Sequence, residues 1–234
     1  MDKLYLRQLL SGRDFAVGNM AAEQMANFVY LIGDHEQGVC IVVDPAWDIA
    51  GIINIAQADN MKIVGALATH YHPDHVGGHL WGFNIEGLAE LIAQNPCPVH
   101  THKLEKAGIL TVTQLSDSDI IAHESGDFVM AGDIAIEMIH TPGHTPGSCC
   151  FRIKNSLVSG DTLFLRGCGR VDLPGGNVEE MHRTINERLN NIADNTMVYP
   201  GHSYSGDHDS MGQLRKDNPV FRHVDLGSFK RLFS

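Results

Sequence analysis

The segment THYHPDHVGG, residues 69–78, places three histidines and one aspartate within six positions. Imidazole and carboxylate groups are ligands that proteins use for zinc, iron and manganese. His70, His72 and Asp74 alternate along the chain, so an extended segment projects all three to one side. His75 breaks the alternation and can serve a neighbouring position. The pattern therefore predicts a metal site.

Three further segments each carry one possible metal ligand beside glycine or proline: His144 in TPGHTPGS, Asp161 in SGDTLF and His202 in YPGHSYSG. Each segment follows a strand-like run, and tight turns at strand ends can bring separated loops to one edge of the sheets. The seven side chains exceed what one tetrahedral ion can bind. Two ions about 3.5 to 4 Å apart, sharing a carboxylate and a solvent oxygen, would use all seven. The sequence therefore predicts two divalent metal ions, with zinc expected first and iron or manganese also compatible.

The remaining histidines stand outside such segments, and we expect them to be packed or surface residues. They are His35, His79, His100, His102, His123, His140, His182, His208 and His223.

Strands and helices alternate along the chain. Runs rich in Val, Ile and aromatic residues predict strands at 4–10, 28–32, 39–43, 63–68, 134–139, 149–153, 157–158 and 197–199. Apolar residues at spacings of three and four predict helices at 49–59, 87–94 and 178–192. The alternation predicts a layered α/β protein whose sheets are enclosed by helices.

Composition limits the possible functions. The 234 residues, 43% of them apolar, suffice for one large domain. The net charge of −11 argues against a nucleic-acid partner. The charged start of the chain predicts neither a secretory signal nor a membrane span, and five cysteines without a CxxC pair favour a cytoplasmic location.

The motifs resemble those of the metallo-β-lactamase-fold hydrolases and, within them, the glyoxalase II (hydroxyacylglutathione hydrolase) group. Similarity runs from VYLIGD and IVVDPA through THYHPDHVGG, TPGHTPGS, SGDTLFLRGCGR and VYPGHSYS to DNPVFR. The resemblance implies an αββα four-layer sandwich in a single domain, 1–234, with the site at one edge of the two sheets. It also implies that one metal is held by His70, His72 and His144, the other by Asp74, His75 and His202, with Asp161 bridging.

The resemblance extends to two substrate contacts. Arg170 in GCGR matches a basic residue that faces glutathione in this group, and Tyr204 after GHS matches a tyrosine near the same ligand. Val171 and Asp172 stand where the group commonly has an aromatic pair, and the C-terminal region after GHSYSG is shorter than in the group.

These features predict a hydrolase of an ester-like bond. The first candidate is a small-molecule acyl thioester, in particular a glutathione thioester, cleaved by a hydroxide that bridges the metals, because metal binding lowers the pKa of water to about 7. Asp161, as the bridge, and Asp74, as a hydrogen-bond partner of the hydroxide, are the expected catalytic carboxylates. Asp44 in VVDPA is expected either to orient a ligand from outside the metal site or to serve as a turn residue.

Other activities remain open. The stretch RGCGRVD, residues 166–172, looks similar to that of iron-dependent persulfide dioxygenases, in which His70, His144 and Asp161 would bind a single iron. Lesser alternatives are a lactonase, a phosphodiesterase and a metal-binding module without activity.

The segment 79–121 is longer than a compact connection needs, which suggests a lid or an insert. Leu80, Trp81 and Phe83 near its start are expected either to line a pocket or to form the core beneath a covering helix.

Overall fold

The computed structural model describes residues 3–233. Its strands are β1 (Leu4–Leu10), β2 (Phe28–Asp34), β3 (Val39–Val43), β4 (Lys62–Leu67), β5 (Gly78–Leu80), β6 (Phe83–Ile85), β7 (Val99–His102), β8 (Ile120–His123), β9 (Phe128–Ala131), β10 (Ile134–His140), β11 (Cys149–Ile153), β12 (Ser156–Gly160), β13 (Met197–Pro200) and β14 (Asp209–Ser210). They form two six-stranded sheets, in the orders β1-β2-β3-β4-β7-β8 and β14-β13-β12-β11-β10-β9, and a separate hairpin, β5-β6.

The α-helices are α1 (Met20–Met25), α2 (Ile49–Ala58), α3 (Pro73–Val76), α4 (Leu88–Gln94), α5 (Lys106–Val112), α6 (Val178–Arg183), α7 (Met211–Asp217) and α8 (Leu226–Lys230). Short 3-10 turns lie at Asp117–Asp119, Pro219–Arg222 and Arg231–Phe233, and a π-helical turn lies at Thr184–Arg188. No helix in the described range 3–233 is long and apolar enough to span a membrane.

The two sheets pack face to face, and helices cover their outer faces. Phe28 and Ile41 of the first sheet share a buried cluster with Phe151 of the second. Residues of α2, α4 and α5 pack on the outside of the first sheet, and residues of α6, α7 and α8 on the outside of the second. This arrangement confirms the expected αββα sandwich, in which each sheet buries one face against the other sheet and one against helices.

The helix predicted at 178–192 begins as expected and ends early. After α6 the backbone widens, because the Leu189 amide bonds to the carbonyl of Thr184, five residues before it. The Arg215 guanidinium then donates to the carbonyl oxygens of Leu189 and Ile192 at 3.2 and 2.7 Å. The helical part stops at Arg188, and a distant arginine binds the carbonyl groups that follow it.

The segment 79–121 contains the helix predicted at 87–94, which is α4, together with strands that the sequence did not predict. Its strand β7 and the neighbouring β8 complete the first sheet, so this portion belongs to the central fold. Only the hairpin β5-β6 stands apart from both sheets. Trp81 and Phe83 of this hairpin are 76% and 56% exposed, so neither is the core of a covering helix. A lid function of the hairpin remains a prediction.

Candidate metal centre

The predicted ligands lie where four strands end. His70 to His75 follow β4, His144 follows β10, Asp161 follows β12 directly, and His202 follows β13. β4 belongs to the first sheet and the other three strands belong to the second, so the side chains meet at the edge between the sheets. The structure brings all seven predicted ligands together there.

The first ligand set consists of three imidazoles. The ring centres of His70, His72 and His144 lie 4.6 to 4.7 Å apart in every pair, with planes inclined by 75 to 86°. His144 Nε2 and His72 Nδ1 are 2.9 Å apart. One nitrogen of each ring lies within 4.8 Å of the others, so the three imidazoles are close enough to bind one metal ion.

The second ligand set is mixed. His75 Nε2 lies 3.2 Å from His202 Nε2 and 3.4 Å from Asp74 Oδ2. Asp161 lies between the two sets, because its Oδ1 is 3.4 Å from His75 Nε2 while its Oδ2 is 3.6 Å from His144 Nε2. One carboxylate therefore contacts a histidine of each set.

Two buried atoms test whether a metal fits. His70 Nε2 and Asp161 Oδ1 are buried and have no hydrogen-bond partner. Unpaired buried polar atoms are costly, so they usually indicate a missing ion or water. Each of the two ligand sets also has its ligand atoms within 4.8 Å of one another. The types of metal ligand and the two unpaired buried atoms therefore fit a binuclear metal site.

Burial and neighbouring charge set the ionisation of the ligands. Burial and the nearby His75 imidazole hold the pKa of His70 well below its usual value, and burial with His144 lowers the pKa of His72 to about 4. Burial alone would lower the pKa of His75, but Asp74 and Asp161 outweigh it and raise that pKa to about 10. His70 and His72 are therefore neutral imidazoles, which is the form that binds metals.

Acceptors behind the histidines fix their orientation. His144 Nδ1 donates to the Arg170 carbonyl at 2.7 Å, and His202 Nδ1 donates to the Met25 carbonyl at 2.7 Å. Each bond occupies the ring nitrogen that faces away from the site, which leaves Nε2 free to bind a metal.

Asp44 supports both ligand sets. Its buried carboxylate accepts from His75 Nδ1 at 3.0 Å and from Thr69 Oγ1 at 2.6 Å. Thr69 Oγ1 lies 3.0 Å from His70 Nδ1 in turn. Asp44 itself has a positive φ of 52°, a backbone conformation that is unusual for aspartate. These contacts favour the orienting role over that of a simple turn residue.

Sequence reasoning missed Glu105. This carboxylate is completely buried and accepts three hydrogen bonds, from the Tyr71 amide at 2.8 Å, Thr145 Oγ1 at 2.8 Å and the Gly147 amide at 2.6 Å. Tyr71 lies between two ligands of the first set, and Thr145 directly follows His144. Glu105 therefore ties the two loops that carry this set. The surrounding letters KLEKAG form no recognisable motif that would have revealed it.

Asn27 is a second residue that the sequence did not reveal. Its Nδ2 donates to Asp74 Oδ2 at 3.1 Å, and its Oδ1 accepts from Trp47 Nε1 at 2.9 Å. All three residues are buried. Asn27 thus fixes the carboxylate that the sequence analysis assigned to catalysis.

The predicted substrate contacts line a cavity of about 400 Å³ beside the ligands. The Arg170 side chain is largely exposed and pairs with Asp172 at 2.8 Å. The Tyr204 ring stacks on His202, with ring centres 4.6 Å apart and planes inclined by 9°. Their contact with glutathione stays a prediction.

The other histidines lie elsewhere. Within residues 3–233, none of them joins a group of three or more possible metal ligands. His100 Nδ1 faces His123 Nε2 at 2.9 Å, and His102 stacks on His140 with ring centres 4.0 Å apart.

Comparison with known proteins places this geometry in a family. The sequence profile of the Metallo-beta-lactamase superfamily matches residues 23–202, and the chain belongs to this superfamily. The αββα sandwich described above is the fold of that superfamily.

Relatives within the family differ in activity. The probable polyketide biosynthesis zinc-dependent hydrolase BaeB of Bacillus velezensis is 31% identical, over 86% of this chain and 84% of its own length. The hydroxyacylglutathione hydrolase of Tolumonas auensis is 32% identical, over 76% of this chain and 62% of its own. The mitochondrial persulfide dioxygenase ETHE1 of Bos taurus is 28% identical, over 84% and 71%.

Among solved structures, ETHE1 from Myxococcus xanthus superimposes with a TM-score of 0.79, covering 98% of this chain and 89% of its own at 22% identity. At that identity the likeness concerns the fold alone.

Proposed function

We propose that this protein is a hydrolase that uses two divalent metal ions to cleave a thioester. The observation that carries the proposal is the position of Asp161, which contacts histidines of both ligand sets. Its Oδ1 lies 3.4 Å from His75, and its Oδ2 lies 3.6 Å from His144 of the first set and 3.4 Å from His202 of the second. A carboxylate in that position suits two ions rather than one. Two relatives that are more than 30% identical are named as hydrolases, one of them zinc-dependent.

The residues divide the work as follows. His70, His72 and His144 would hold one ion, Asp74, His75 and His202 the other, and Asp161 both. The bound ions would supply an activated water at neutral pH and polarise the carbonyl group of the substrate. Asp74, oriented by Asn27, would accept a hydrogen bond from the attacking water. Water adds across the C–S bond, and the products are a carboxylic acid and a thiol.

The thiol part of the substrate is proposed to lie near Arg170 and Tyr204, where a glutathione carboxylate would meet the guanidinium. The relative from Tolumonas auensis supports a glutathione-linked substrate. The five cysteines, all free in the structure, agree with the proposed cytoplasmic location.

A single-iron persulfide dioxygenase is the second candidate. It is supported by the bovine relative and by the orphaned atoms, since His70 Nε2 and Asp161 Oδ1 belong to the set of three residues that would bind one iron. Such a set leaves open positions for oxygen.

Metal content and substrate turnover distinguish the candidates. Two metal equivalents per chain and thioester cleavage without oxygen uptake support the hydrolase, whereas one iron and oxygen uptake on glutathione persulfide support the dioxygenase. In the hydrolase, Asp161→Ala should lose one metal equivalent and thioester cleavage. Asp133→Ala should lose neither, because Asp133 directly precedes β10, whereas the ligand His144 follows the other end of that strand. Two tightly bound ions and full activity in Asp161→Ala would refute the bridging role.

A further inference from the structure

A second cavity adjoins the metal site. It has a volume of about 660 Å³ and lies between α1 and the hairpin β5-β6. Met25, Leu80 and Trp81 line both this cavity and the one beside the metal ligands. The two cavities therefore share a wall, and we call the larger one the apolar groove.

The lining of the apolar groove carries no formal charge. Trp47 forms part of it, and the exposed side chains of Met20, Trp81 and Phe83 stand at its rim. Clustered large apolar side chains at a surface usually mark a binding site. By contrast, the cavity beside the metals includes Arg170 on its lining. The space around the ligands is thus apolar on one side and carries charged side chains on another, among them Arg170 with its partner Asp172.

The apolar groove is also linked to the ligands through its inner wall. Trp47 lines the groove, and its indole N–H donates to Asn27, which in turn donates to Asp74. A substrate chain in the groove would therefore lie against Trp47, which holds the residue that orients a proposed catalytic carboxylate.

We propose that the apolar groove binds the acyl chain of the thioester and that the protein prefers long apolar acyl groups to short ones. This inference rests on the proposed thioesterase function. The charged thiol part of a substrate such as a glutathione thioester would have no oppositely charged partner in the groove, which is costly. An alkyl chain has no such cost and gains from leaving water.

The first test compares thioesters of N-acetylcysteamine with acyl chains of two, six and ten carbons. A fully buried methylene favours binding about fourfold, and a half-buried one about twofold. Half burial of six of the eight additional methylenes favours binding about 60-fold, so we expect kcat/KM to rise at least about 50-fold from the two-carbon to the ten-carbon substrate. Equal values along the series would overturn the proposal.

Variants locate the effect. The hairpin turn consists of Trp81 and Gly82, both with positive φ, so Trp81→Asn creates the Asn-Gly pair that this type of turn favours and removes only the indole. Trp81→Asn and Phe83→Ala should each lower the ratio of ten-carbon to two-carbon kcat/KM at least about fivefold. Phe128→Ala is the matched control, because Phe128 is 57% exposed on β9 and lines neither cavity. A ratio unchanged in both groove variants refutes the assignment.

Binding can be tested without catalysis. The chain has two tryptophans, and both line the apolar groove. Octanamide added to the metal-free protein should shift the tryptophan emission to the blue, acetamide should not, and Phe83→Ala should weaken the octanamide affinity. If no thioester is cleaved, the proposed function is wrong, and the octanamide titration then tests by itself whether the groove binds an alkyl chain. If octanamide also causes no blue shift, the groove assignment is wrong as well. A dimer in sedimentation velocity that Phe83→Ala dissociates would instead show that the groove is an interface between two copies.

Discussion

Replacing Glu105 by glutamine should loosen the first ligand set without removing any ligand. One Glu105 oxygen accepts from Thr145 Oγ1 and the Gly147 amide, and the other accepts from the Tyr71 amide. A glutamine can keep its carbonyl oxygen at the first position, but its NH₂ group then faces the Tyr71 N–H. The bond to the loop between His70 and His72 is lost, because two donors cannot pair.

The size of the effect follows from the contacts. One buried donor left without a partner costs about 1 to 3 kcal/mol in the free energy of unfolding. Loss of a group that orients metal ligands commonly lowers metal affinity about 10- to 100-fold. We therefore expect Glu105→Gln to lower stability by about 2 kcal/mol and the affinity of the first site at least about tenfold. Urea unfolding measures the first quantity, and competition with a chelator measures the second.

Asp34 offers a matched control. It is a buried carboxylate at the end of β2, and one of its oxygens accepts from the amides of Glu36 and Gln37 while the other accepts from the amide of Asp133. Asp34→Asn should cost a similar amount of stability and leave metal affinity unchanged. The reasoning is refuted if Glu105→Gln loses as much stability as Asp34→Asn but keeps a metal affinity within about twofold of that of the unmodified protein.

Three further outcomes are expected. Asn27→Ala should reduce kcat at least about tenfold at saturating metal, since it frees Asp74 and leaves the Trp47 N–H unpaired; an unchanged kcat would contradict the role of Asn27. Metal at about 100 times its Kd should stabilise the protein by about 2.7 kcal/mol for each site that it fills, and removal by a chelator should abolish thioester cleavage until zinc is restored; a melting temperature that does not depend on metal would contradict a built site. Burial beside His140 lowers the pKa of His102 to about 4, below its value in the unfolded chain. As the pH drops, the unfolded chain therefore takes up a proton before the folded protein does, and the free energy of unfolding falls between about pH 6.5 and 4. In the metal-free protein, His102→Phe should make this pH-dependent loss in the free energy of unfolding smaller by about 2 kcal/mol, as measured by urea unfolding. If the free energy of unfolding depends on pH in the same way in both proteins, His102 does not cause the loss.

The positions of the ligands were predictable because each lies in a short motif after a strand. His144, for example, follows β10 within a turn of glycine and proline, and the sequence shows both features. The layered α/β arrangement was predictable for a similar reason, since alternating strands and helices carry periodic patterns. The αββα sandwich, which the resemblance to the family implied, was confirmed. Strand and helix ends were less predictable: Arg215 binds the carbonyl groups after α6 from more than twenty residues away, and no local pattern records that contact.

The residues that brace the site were not predictable from local patterns. Glu105 and Asn27 are single polar residues without a motif, and their partners Tyr71 and Asp74 lie 34 and 47 positions away. Trp81 was recognised in the sequence as a residue of either a pocket or the core, and its exposure decided between them.

The sequence by itself determined the chemistry available to this protein, because ligand types and turn residues are local properties of the chain. Only the tertiary structure decided which buried groups hold those ligands and where an apolar groove opens beside them. Both depend on contacts between distant segments, whose partners are set by packing rather than by neighbouring residues.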